Sequence, residues 1–212
     1  MVKALPKARG TAGTIARKPQ AISAKSAQKR ERVIRAATLL INKKGFALTT
    51  MTEIAAALGL RDATLYYYFP NKQALGYASH VASLERIERL LIQAGDGKGS
   101  GAILLRDFIH QLLLDGEAHG SHLYFGDYSY LSEDQRDRLN EWSARLEAMI
   151  EQFLIKGVRD GSITSCDTRL VTNLLIGMLI SLARWTWRVE GVTTNRLMEA
   201  IGVASLDGLE RR

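Results

Sequence analysis

The sequence predicts an all-α protein, and three observations lead to that prediction. Apolar residues recur every three or four positions along most of the chain, which is the spacing of one face of a helix. Ser, Thr, Asp and Asn precede several of these stretches as candidate helix caps, and glycines follow them. No segment shows the alternation of a half-buried strand, and the chain has no internal repeat.

Residues 49–75 predict two short helices joined by a tight turn. Thr50 and Glu53 have the spacing of a capping box, in which the hydroxyl accepts a backbone N–H and the carboxylate reaches back. Gly59 follows the first short helix and supplies the backbone freedom for a sharp turn. Two short helices across a Gly-containing turn are the helix-turn-helix, whose second helix enters the DNA major groove.

The second short helix has an apolar side and a polar side. Leu65 and Phe69 are four residues apart, so they fall on the side that packs against the rest of the domain. The other side is polar and aromatic, and its residues are Arg61, Asp62, Thr64, Tyr67 and Tyr68. Such a surface suits contacts with phosphates and base edges.

Helical spacing continues on both sides of this segment. A helix over residues 26–44 precedes it, and Gly45 ends that helix. Residues 95–101 are glycine-rich but lack a preceding strand and a Gly-Lys-Ser/Thr ending, so they predict a flexible loop rather than a phosphate site. Residues 116–131 predict irregular structure. The other predicted helices run from Asn71 to Leu91, from Ala102 to Leu114, from Ser132 to Val158, from Thr168 to about Glu190 with an Asp167 cap, and from Thr193 or Thr194 through Ile201.

The net charge of +7 is concentrated at the N-terminal end. Residues 1–30 carry +8 and no acidic side chain, residues 31–75 carry +3, and residues 76–212 carry −4. The basic part therefore coincides with the region expected to meet phosphates. These boundaries predict a disordered basic arm over residues 1–25, a DNA-binding domain over residues 26–75 and a second helical domain over residues 76–212.

Composition also limits the compartment. A single cysteine, Cys166, excludes an internal disulfide framework and fits a reducing cytoplasm. The longest uninterrupted apolar stretch, roughly Leu174 to Ala183, is too short to span a bilayer. The basic N-terminus is not followed by the apolar region of a secretory signal. We expect a cytoplasmic protein with no membrane partner, associated with the nucleoid when bound to DNA.

These residues resemble a known family. The stretch TTMTEIAAALGLRDATLYYYFPNKQAL, and above all TLYYYF followed by NKQAL, is similar to the DNA-binding domain of the TetR (tetracycline-repressor) family of bacterial transcription regulators. The match runs from about Gln28 to Leu75. Less specifically, the part of the chain from LSEDQRDRLNEW to LISLARWTWR resembles the last helices of many members.

The resemblance implies roles for residues that match the family motif. Lys72 matches a lysine that approaches phosphate, and Thr50 matches a threonine near the DNA backbone. Two departures matter: Arg61 stands where a serine cap is frequent, and Tyr68 stands where histidine is common. A cap supplied by Asp62 and a guanine contact by Arg61 both remain open. The predicted DNA-binding residues are Thr50, Arg61, Asp62, Thr64, Tyr66, Tyr67, Tyr68 and Lys72, and Tyr66 could equally pack inside the domain.

The resemblance also implies a double-stranded operator, a homodimer formed through the last two long helices and a small-molecule effector of unknown identity. Residues 170–187 are apolar on more than one face, which agrees with burial by a second copy, and a fully buried central helix of a monomer is the alternative. An apolar or acyl-CoA-like effector is expected in a cavity among the helices. The candidate lining residues are Phe108, Leu112, Tyr124, Tyr128, Trp142, Met149, Asn173, Met178 and Trp185, and core packing is the alternative for each of them.

No catalytic, metal or cofactor site is predicted. His110, His119 and His122 lack the cysteines and carboxylates of a metal motif, and Cys166 lacks the partners of a nucleophile. The sequence thus predicts a ligand-responsive transcriptional repressor and not an enzyme. Two other classes stay open: an architectural DNA-binding protein that uses its basic arm, and a ligand carrier or enzyme with secondary DNA binding.

Overall fold

The computed structural model describes residues 24–123 and 128–202, which contain eight α-helices and no strand. The all-α prediction is confirmed. The predicted basic arm lies outside the described residues except for Ala24 and Lys25, which are already helical. The helices are α1 Ala24–Lys44, α2 Met51–Ala57, α3 Asp62–Tyr68, α4 Lys72–Gly95, α5 Gly101–His119, α6 Glu133–Asp160, α7 Thr168–Trp185 and α8 Thr194–Ile201, with a 3-10 turn Thr186–Arg188 after α7.

Side-chain caps fix where most helices begin. Thr50 with Glu53 and Ser132 with Gln135 form two complete capping boxes, as their spacing predicts. Single side-chain caps accept a backbone N–H at the start of α4, α5, α7 and α8, and they come from Asn71, Ser100, Asp167 and Thr193. Because these caps are local in sequence, helix starts are well predicted.

Two helix ends differ from the sequence-based expectation. α5 continues to His119 instead of ending at Leu114, so the irregular stretch begins only at Gly120. α7 ends at Trp185 and not near Glu190, because the chain tightens into the 3-10 turn, where the Thr186 hydroxyl donates to the Leu182 carbonyl at 2.8 Å.

Two hydrophobic clusters share helix α4. The smaller cluster joins α1, α2 and α3 to the first turns of α4 through Leu75 and Ala78. The larger cluster joins the rest of α4, from Leu84 onward, to α5, α6, α7 and α8. One chain segment departs from this division, because Leu123 follows α5 yet is buried in the smaller cluster. The boundary between the predicted domains stays a prediction, since α4 contributes to both clusters.

Helix α7 with its 3-10 turn is an unusual element. Residues Thr168–Arg188 are long and apolar enough to cross a membrane by length and composition, and few of them are buried inside this chain. The sequence-based expectation counted only the uninterrupted apolar stretch and therefore rated this segment as too short. Its exposed apolar residues include Leu170 and Leu174, which are 59% and 67% exposed and lie on one side of the helix.

Helices α5 and α6 approach closely at two glycines. A Cβ added to Gly101 would lie 2.1 Å from the Gly157 nitrogen and 2.4 Å from the Phe153 carbonyl oxygen. The Asp160 carboxylate also accepts a hydrogen bond from the Gly101 N–H at 2.8 Å. The contact is with backbone, so side-chain rotation cannot relieve it.

We therefore expect Gly101→Ala to lower the free energy of unfolding by about 1–3 kcal/mol or more, because the two helices must move apart. Gly116→Ala in the same helix is the matched control, because nothing lies within 4 Å of its added Cβ. The control should stabilise the protein slightly, by up to about 1 kcal/mol, through helix propensity. Urea unfolding followed by circular dichroism measures both, and equal stabilities would contradict the close packing.

Candidate DNA-binding surface and effector cavity

The start of α2 is held by an ion pair and a capping box. The Thr50 hydroxyl accepts the Glu53 N–H at 3.2 Å, and Glu53 accepts hydrogen bonds from Thr50 and from the Lys44 ammonium at the end of α1. The hydrogen bonds from Lys44 and Thr50 lower the pKa of Glu53 to about 2. The hydroxyl of Thr50, predicted to approach the DNA backbone, thus also fixes helix α2.

A second polar contact connects α2 to α3. Gly59 adopts a positive φ of 65° in the turn, and the Thr52 hydroxyl donates to the Asp62 carboxylate at 2.6 Å. Asp62 does not cap α3, so that alternative was wrong: it is the first residue of the helix and its carboxylate is engaged by Thr52. Arg61 occupies the cap position without a side-chain hydrogen bond and is exposed.

Helix α3 presents tyrosines to solvent while its other side is buried. Leu65 is fully buried and Phe69 is 3% exposed, as their spacing predicts. Tyr67 is 80% exposed and Tyr66 is 50% exposed, so Tyr66 is not a core residue. Tyr68 is half-buried against the smaller cluster and meets the Tyr67 ring edge-on at 5.2 Å. The outward surface of α3 therefore consists mainly of Arg61, Tyr66 and Tyr67.

Two further predicted DNA-binding residues are partly engaged within the domain. Thr64 is half-buried near the start of α3. The Lys72 ammonium donates to the carbonyls of Phe46 and Ala47 at 3.0 and 3.2 Å, and it lies 4.4 Å from the centre of the Phe46 ring. Lys72 therefore ties α4 to the loop before α2, which leaves at most one of its three N–H groups for a phosphate.

A cavity of about 420 Å³ lies among α4, α5, α6, α7 and α8. Its volume is in the range of small-molecule sites. The walls are mostly apolar, and the apolar lining residues are Leu84, Ile87, Phe108, Leu112, Leu113, Leu123, Leu146, Ile150, Ile176, Leu179, Ile180, Leu182, Ala183, Trp187, Val189, Val192 and Leu197.

The polar residues on the cavity wall are acidic or neutral. Glu117 accepts hydrogen bonds from the Thr194 N–H and hydroxyl, at 3.3 and 2.6 Å, which connects α5 to the start of α8. Glu147 is the other carboxylate, and no described lysine or arginine lines the cavity. The remaining polar lining residues are Ser121, His122, Ser143, Thr186, Thr193 and Thr194. The walls therefore offer hydrogen bonds but no cation for a buried anion.

Only part of the predicted cavity set lies on these walls. Phe108 and Leu112 do, and Tyr124 lies outside the described residues. Asn173 does not, because its amide donates to the Arg169 carbonyl at 2.9 Å on an exposed side of α7. Trp185 is also off the wall and exposed. Tyr128, Trp142, Met149 and Met178 pack against the larger cluster without lining the cavity.

Most of the lining comes from residues that the sequence did not single out. Ile176, Leu179, Ile180 and Ala183 share one side of α7 and line the cavity together with the buried Leu182, whereas Leu175 is buried toward the core. Their helical spacing was available as a signal, since α7 is apolar on several faces. Which apolar face meets a cavity depends on how the helices pack, and periodicity does not contain that information.

The segment after α5 joins the cavity to the DNA-binding helices. His122 and Leu123 line the cavity, and Leu123 is also buried in the smaller cluster. The His122 carbonyl accepts a hydrogen bond from Asn42 of α1 at 2.7 Å, and the Leu123 N–H donates to Ser83 of α4 at 2.8 Å. We call residues 120–123 the junction segment. It lies between the cavity and α1.

A second contact between the two clusters is aromatic. The Tyr130 ring stacks on Phe46 with centres 3.3 Å apart, and its hydroxyl lies 2.7 Å from His80 Nε2 on α4. Tyr128 meets the His80 ring edge-on, and its hydroxyl is 3.4 Å from the Ser143 hydroxyl on the cavity wall. Burial raises the pKa of Tyr128. This contact reaches from the cavity wall to the loop before α2.

The histidines and the cysteine considered from the sequence form no metal site among the described residues. No set of three or more His, Cys, Asp or Glu among them could hold a metal ion. His119 and His122 instead converge on Asp115, at 3.0 and 3.1 Å. Burial raises the pKa of the half-buried Cys166 thiol, which makes it a poorer nucleophile at neutral pH.

Comparison with known proteins agrees with this arrangement. The family model of bacterial regulatory proteins, tetR family, matches residues 33–76, and the tetracyclin repressor-like C-terminal domain model matches residues 104–208. The chain is 26% identical to the HTH-type transcriptional repressor KstR2 of Rhodococcus jostii over 209 residues, covering 88% of this chain and 93% of that protein. It is 25% identical to the nucleoid occlusion factor SlmA of Vibrio campbellii over 164 residues, covering 73% and 82%.

Solved structures share the fold. The ketosteroid transcriptional regulator KstR2 of Mycobacterium tuberculosis superposes with a TM-score of 0.74 at 17% identity, covering 87% of this chain and 96% of that one. AibR in complex with isovaleryl coenzyme A and operator DNA gives 0.67 at 21% identity, covering 82% and 97%.

The two family models together cover more than two thirds of the chain, in the order and at the positions of the two hydrophobic clusters. Regulators of this family act as dimers, bind operator DNA and small-molecule effectors, and are generally not enzymes. The helix-turn-helix, the exposed tyrosines and the helical cavity domain thus have one explanation: the chain belongs to the TetR family of bacterial transcription regulators and is a DNA-binding regulator.

Proposed function

We propose that this protein is a homodimeric repressor that leaves a palindromic operator when a small apolar effector fills the cavity. The observation that carries the proposal is the junction segment, because His122 and Leu123 belong to the cavity wall while Leu123 is buried in the core of the DNA-binding helices. A ligand that changes the wall therefore acts directly on the packing of those helices.

The exposed side of α7 is the proposed dimer surface, with α6 beside it. Leu170, Leu174 and Trp185 share this side of α7, and Ile155 is an exposed apolar residue of α6. Pairing with a second copy removes this apolar surface from water, which accounts for a long apolar helix that is barely buried in one chain. Two recognition helices then meet half-sites about 34–36 Å apart, or a multiple of that distance.

Helix α3 is the proposed recognition helix. Tyr67 and Arg61 are its most accessible candidates for DNA contact, followed by Tyr66. Thr64 and Tyr68 are half-buried candidates on the same helix, and Thr50 is an exposed candidate at the start of α2. Asp62 and Lys72 act mainly by holding α3 and α4 in place through their hydrogen bonds. The proposed role of Asp62 is thus to orient α3 and not to touch DNA.

The cavity supports an effector with an apolar body. Its walls match an aliphatic chain or a ring system, and the carboxylates of Glu117 and Glu147 disfavour a buried free carboxylate. A thioester has no such charge at the end of its acyl chain. The AibR structure contains isovaleryl coenzyme A, which makes acyl-coenzyme A thioesters the first effectors to test.

The other function classes have less support. Residues 1–23 lie outside the described residues, so no contact of the basic arm supports an architectural role. The described side chains offer no catalytic grouping for an enzyme, whereas the cavity and the helix-turn-helix are both accounted for by regulation. We propose that the protein is not an enzyme and that it works in the cytoplasm, on the nucleoid when bound to DNA.

Substitution of Tyr67 tests the recognition helix. We expect Tyr67→Ala to weaken binding to the operator by about 1–3 kcal/mol, because a largely exposed side chain loses its DNA contact with little loss of packing. Tyr67→Phe removes only the hydroxyl, so it separates the contribution of the hydroxyl to DNA binding from that of the ring. Footprinting near the gene of the protein locates the operator, and fluorescence anisotropy at fixed salt measures affinity. Unchanged affinity for Tyr67→Ala, with dimer mass and helix content preserved, would refute this placement.

Adjacent leucines of α5 test the cavity. Leu113 lines it, whereas Leu114 points away and is partly exposed. We expect Leu113→Trp to weaken binding of the neutral dye Nile red about tenfold or more, because the indole occupies the site. Leu114→Trp should leave binding unchanged. Fluorescence titration measures both, and equal dye binding by the two variants would argue against this cavity as the effector site.

Charge at the junction segment supports a further prediction. Burial lowers the pKa of His122, although Asp115 beside it favours the charged ring. Burial alone would raise the pKa of Asp115, but hydrogen bonding to His122 and Arg86 outweighs it and holds that pKa well below its ordinary value. Arg86 also donates to the Gly120 carbonyl at 2.8 Å. Below about pH 6.5, protonation of His122 is therefore easier in the unfolded chain than in the folded one.

We expect the free energy of unfolding to fall as the pH drops below about 6.5, by up to about 1.4 kcal/mol per pH unit per chain from His122. The free energy of unfolding should fall further below about pH 4, as Asp115 is protonated. His122→Gln should flatten the curve between pH 6.5 and about 5. Thermal unfolding across this pH range measures the effect, and parallel curves for His122→Gln and the original protein would contradict it.

A further inference from the structure

The rim of the cavity carries a tryptophan flanked by two cations. Trp187 follows α7, lines the cavity and is 45% exposed, so its ring is in contact with both the cavity and solvent. The Lys43 ammonium lies 5.1 Å from the centre of this ring, and the Arg188 guanidinium carbon lies 4.8 Å from it. Both distances are those of a cation–π contact.

These two cations are not neutralised within the described part of the chain. Neither Lys43 nor Arg188 has a carboxylate within salt-bridge distance there, and both side chains are exposed. The cavity walls have the opposite character, because their charged groups are Glu117 and Glu147. The site is thus apolar and weakly acidic inside and basic at the Trp187 rim. A ligand with an apolar body and an anionic head fits this polarity.

The two cations belong to different parts of the molecule. Arg188 follows α7 in the cavity domain, whereas Lys43 is in the last turn of α1, one residue before the lysine that pairs with Glu53 of α2. An anion placed between them would contact the DNA-binding helices directly. It would also compete with the Trp187 ring for Lys43.

We infer that Lys43, Trp187 and Arg188 form a subsite for the phosphate-bearing head of the effector, whose apolar body occupies the cavity. This rests on the proposed function of the cavity. The subsite selects esters and thioesters with a phosphorylated head over free fatty acids. Through Lys43 it connects occupancy of the cavity to α1, in addition to the connection made by the junction segment.

Calorimetric titration of the full-length dimer tests the subsite with four probes: octanoyl-coenzyme A, methyl octanoate, coenzyme A alone and inorganic phosphate. We expect octanoyl-coenzyme A to bind more tightly than methyl octanoate. Lys43→Gln and Arg188→Gln should each weaken octanoyl-coenzyme A about threefold, and the double variant about tenfold, because exposed charge contacts are modest. Neither change should affect methyl octanoate. Added salt should reduce the difference in affinity between octanoyl-coenzyme A and methyl octanoate.

Two control variants separate charge from other effects. Lys43→Arg keeps the cation and should retain the affinity of the original protein. Lys98→Gln removes a cation from the exposed loop between α4 and α5 and should change nothing. The operator affinity of Lys43→Gln without effector should equal that of the original protein, because the inferred role of Lys43 is toward the ligand.

The outcomes distinguish the subsite from the cavity. If methyl octanoate binds but the charge variants bind octanoyl-coenzyme A normally, the subsite is wrong and the proposed cavity stands. If neither acyl probe binds, the proposed function and the subsite both fail for this effector class. If coenzyme A or phosphate binds as tightly as the thioester, the acyl chain adds no affinity, and an effector with its apolar body in the cavity is ruled out for this class. A loss of operator affinity in Lys43→Gln without effector would make Lys43 a DNA contact and overturn the inference.

Discussion

The burial of Leu123 among the DNA-binding helices is the interaction on which the arrangement of the two clusters depends. Leu123 follows α5, but its side chain packs with α1 to α4. The peptide between His122 and Leu123 is held at both polar groups, because its carbonyl accepts from the Asn42 amide and its N–H donates to the Ser83 hydroxyl. Truncation of a buried leucine typically costs about 2–5 kcal/mol, so this single contact is a substantial fraction of the stability of a domain. It also makes the cavity wall and the core of the helix-turn-helix one continuous packing unit.

Helix α4 alone would couple the clusters less specifically. Leu84 and Ile87 of this helix line the cavity, but a helix shared by two cores transmits mainly rigid-body motion. The junction segment adds a contact that begins at the cavity wall, at His122. The Tyr130–Phe46 stack adds a second one, because Tyr128 beside it lies within hydrogen-bond distance of Ser143 on the wall. A ligand can shift the equilibrium only if it interacts differently with two states of such contacts. Their position at the wall places these contacts where a ligand in the cavity would touch them.

Helix α7 is apolar on three sides, and each side has different surroundings. One side is buried in the larger cluster, a second forms the cavity wall, and a third, with Leu170 and Leu174, is exposed in the single chain. This explains why composition alone makes the helix resemble a membrane span. The shift to a 3-10 turn at Thr186 then turns Trp187 toward the rim, where it meets Lys43 of α1. The cavity and the proposed dimer surface are therefore on two sides of the same helix.

The sequence by itself determined the helix caps, the turn and the facing of helix residues, because these features depend on residues close together in the chain. The capping boxes at Thr50 and Ser132, the turn at Gly59 and the inward placement of Leu65 and Phe69 all follow from local spacing, and the family motif TLYYYF resides in the same stretch. Only the tertiary structure decided which of the apolar faces of α7 borders a cavity. It also decided that Asn173 bonds to its own helix and that Lys72 is held by backbone carbonyls. Caps and turns are set by hydrogen bonds between residues close in sequence, whereas a cavity is the space left by helices far apart in sequence, and no periodicity encodes that space.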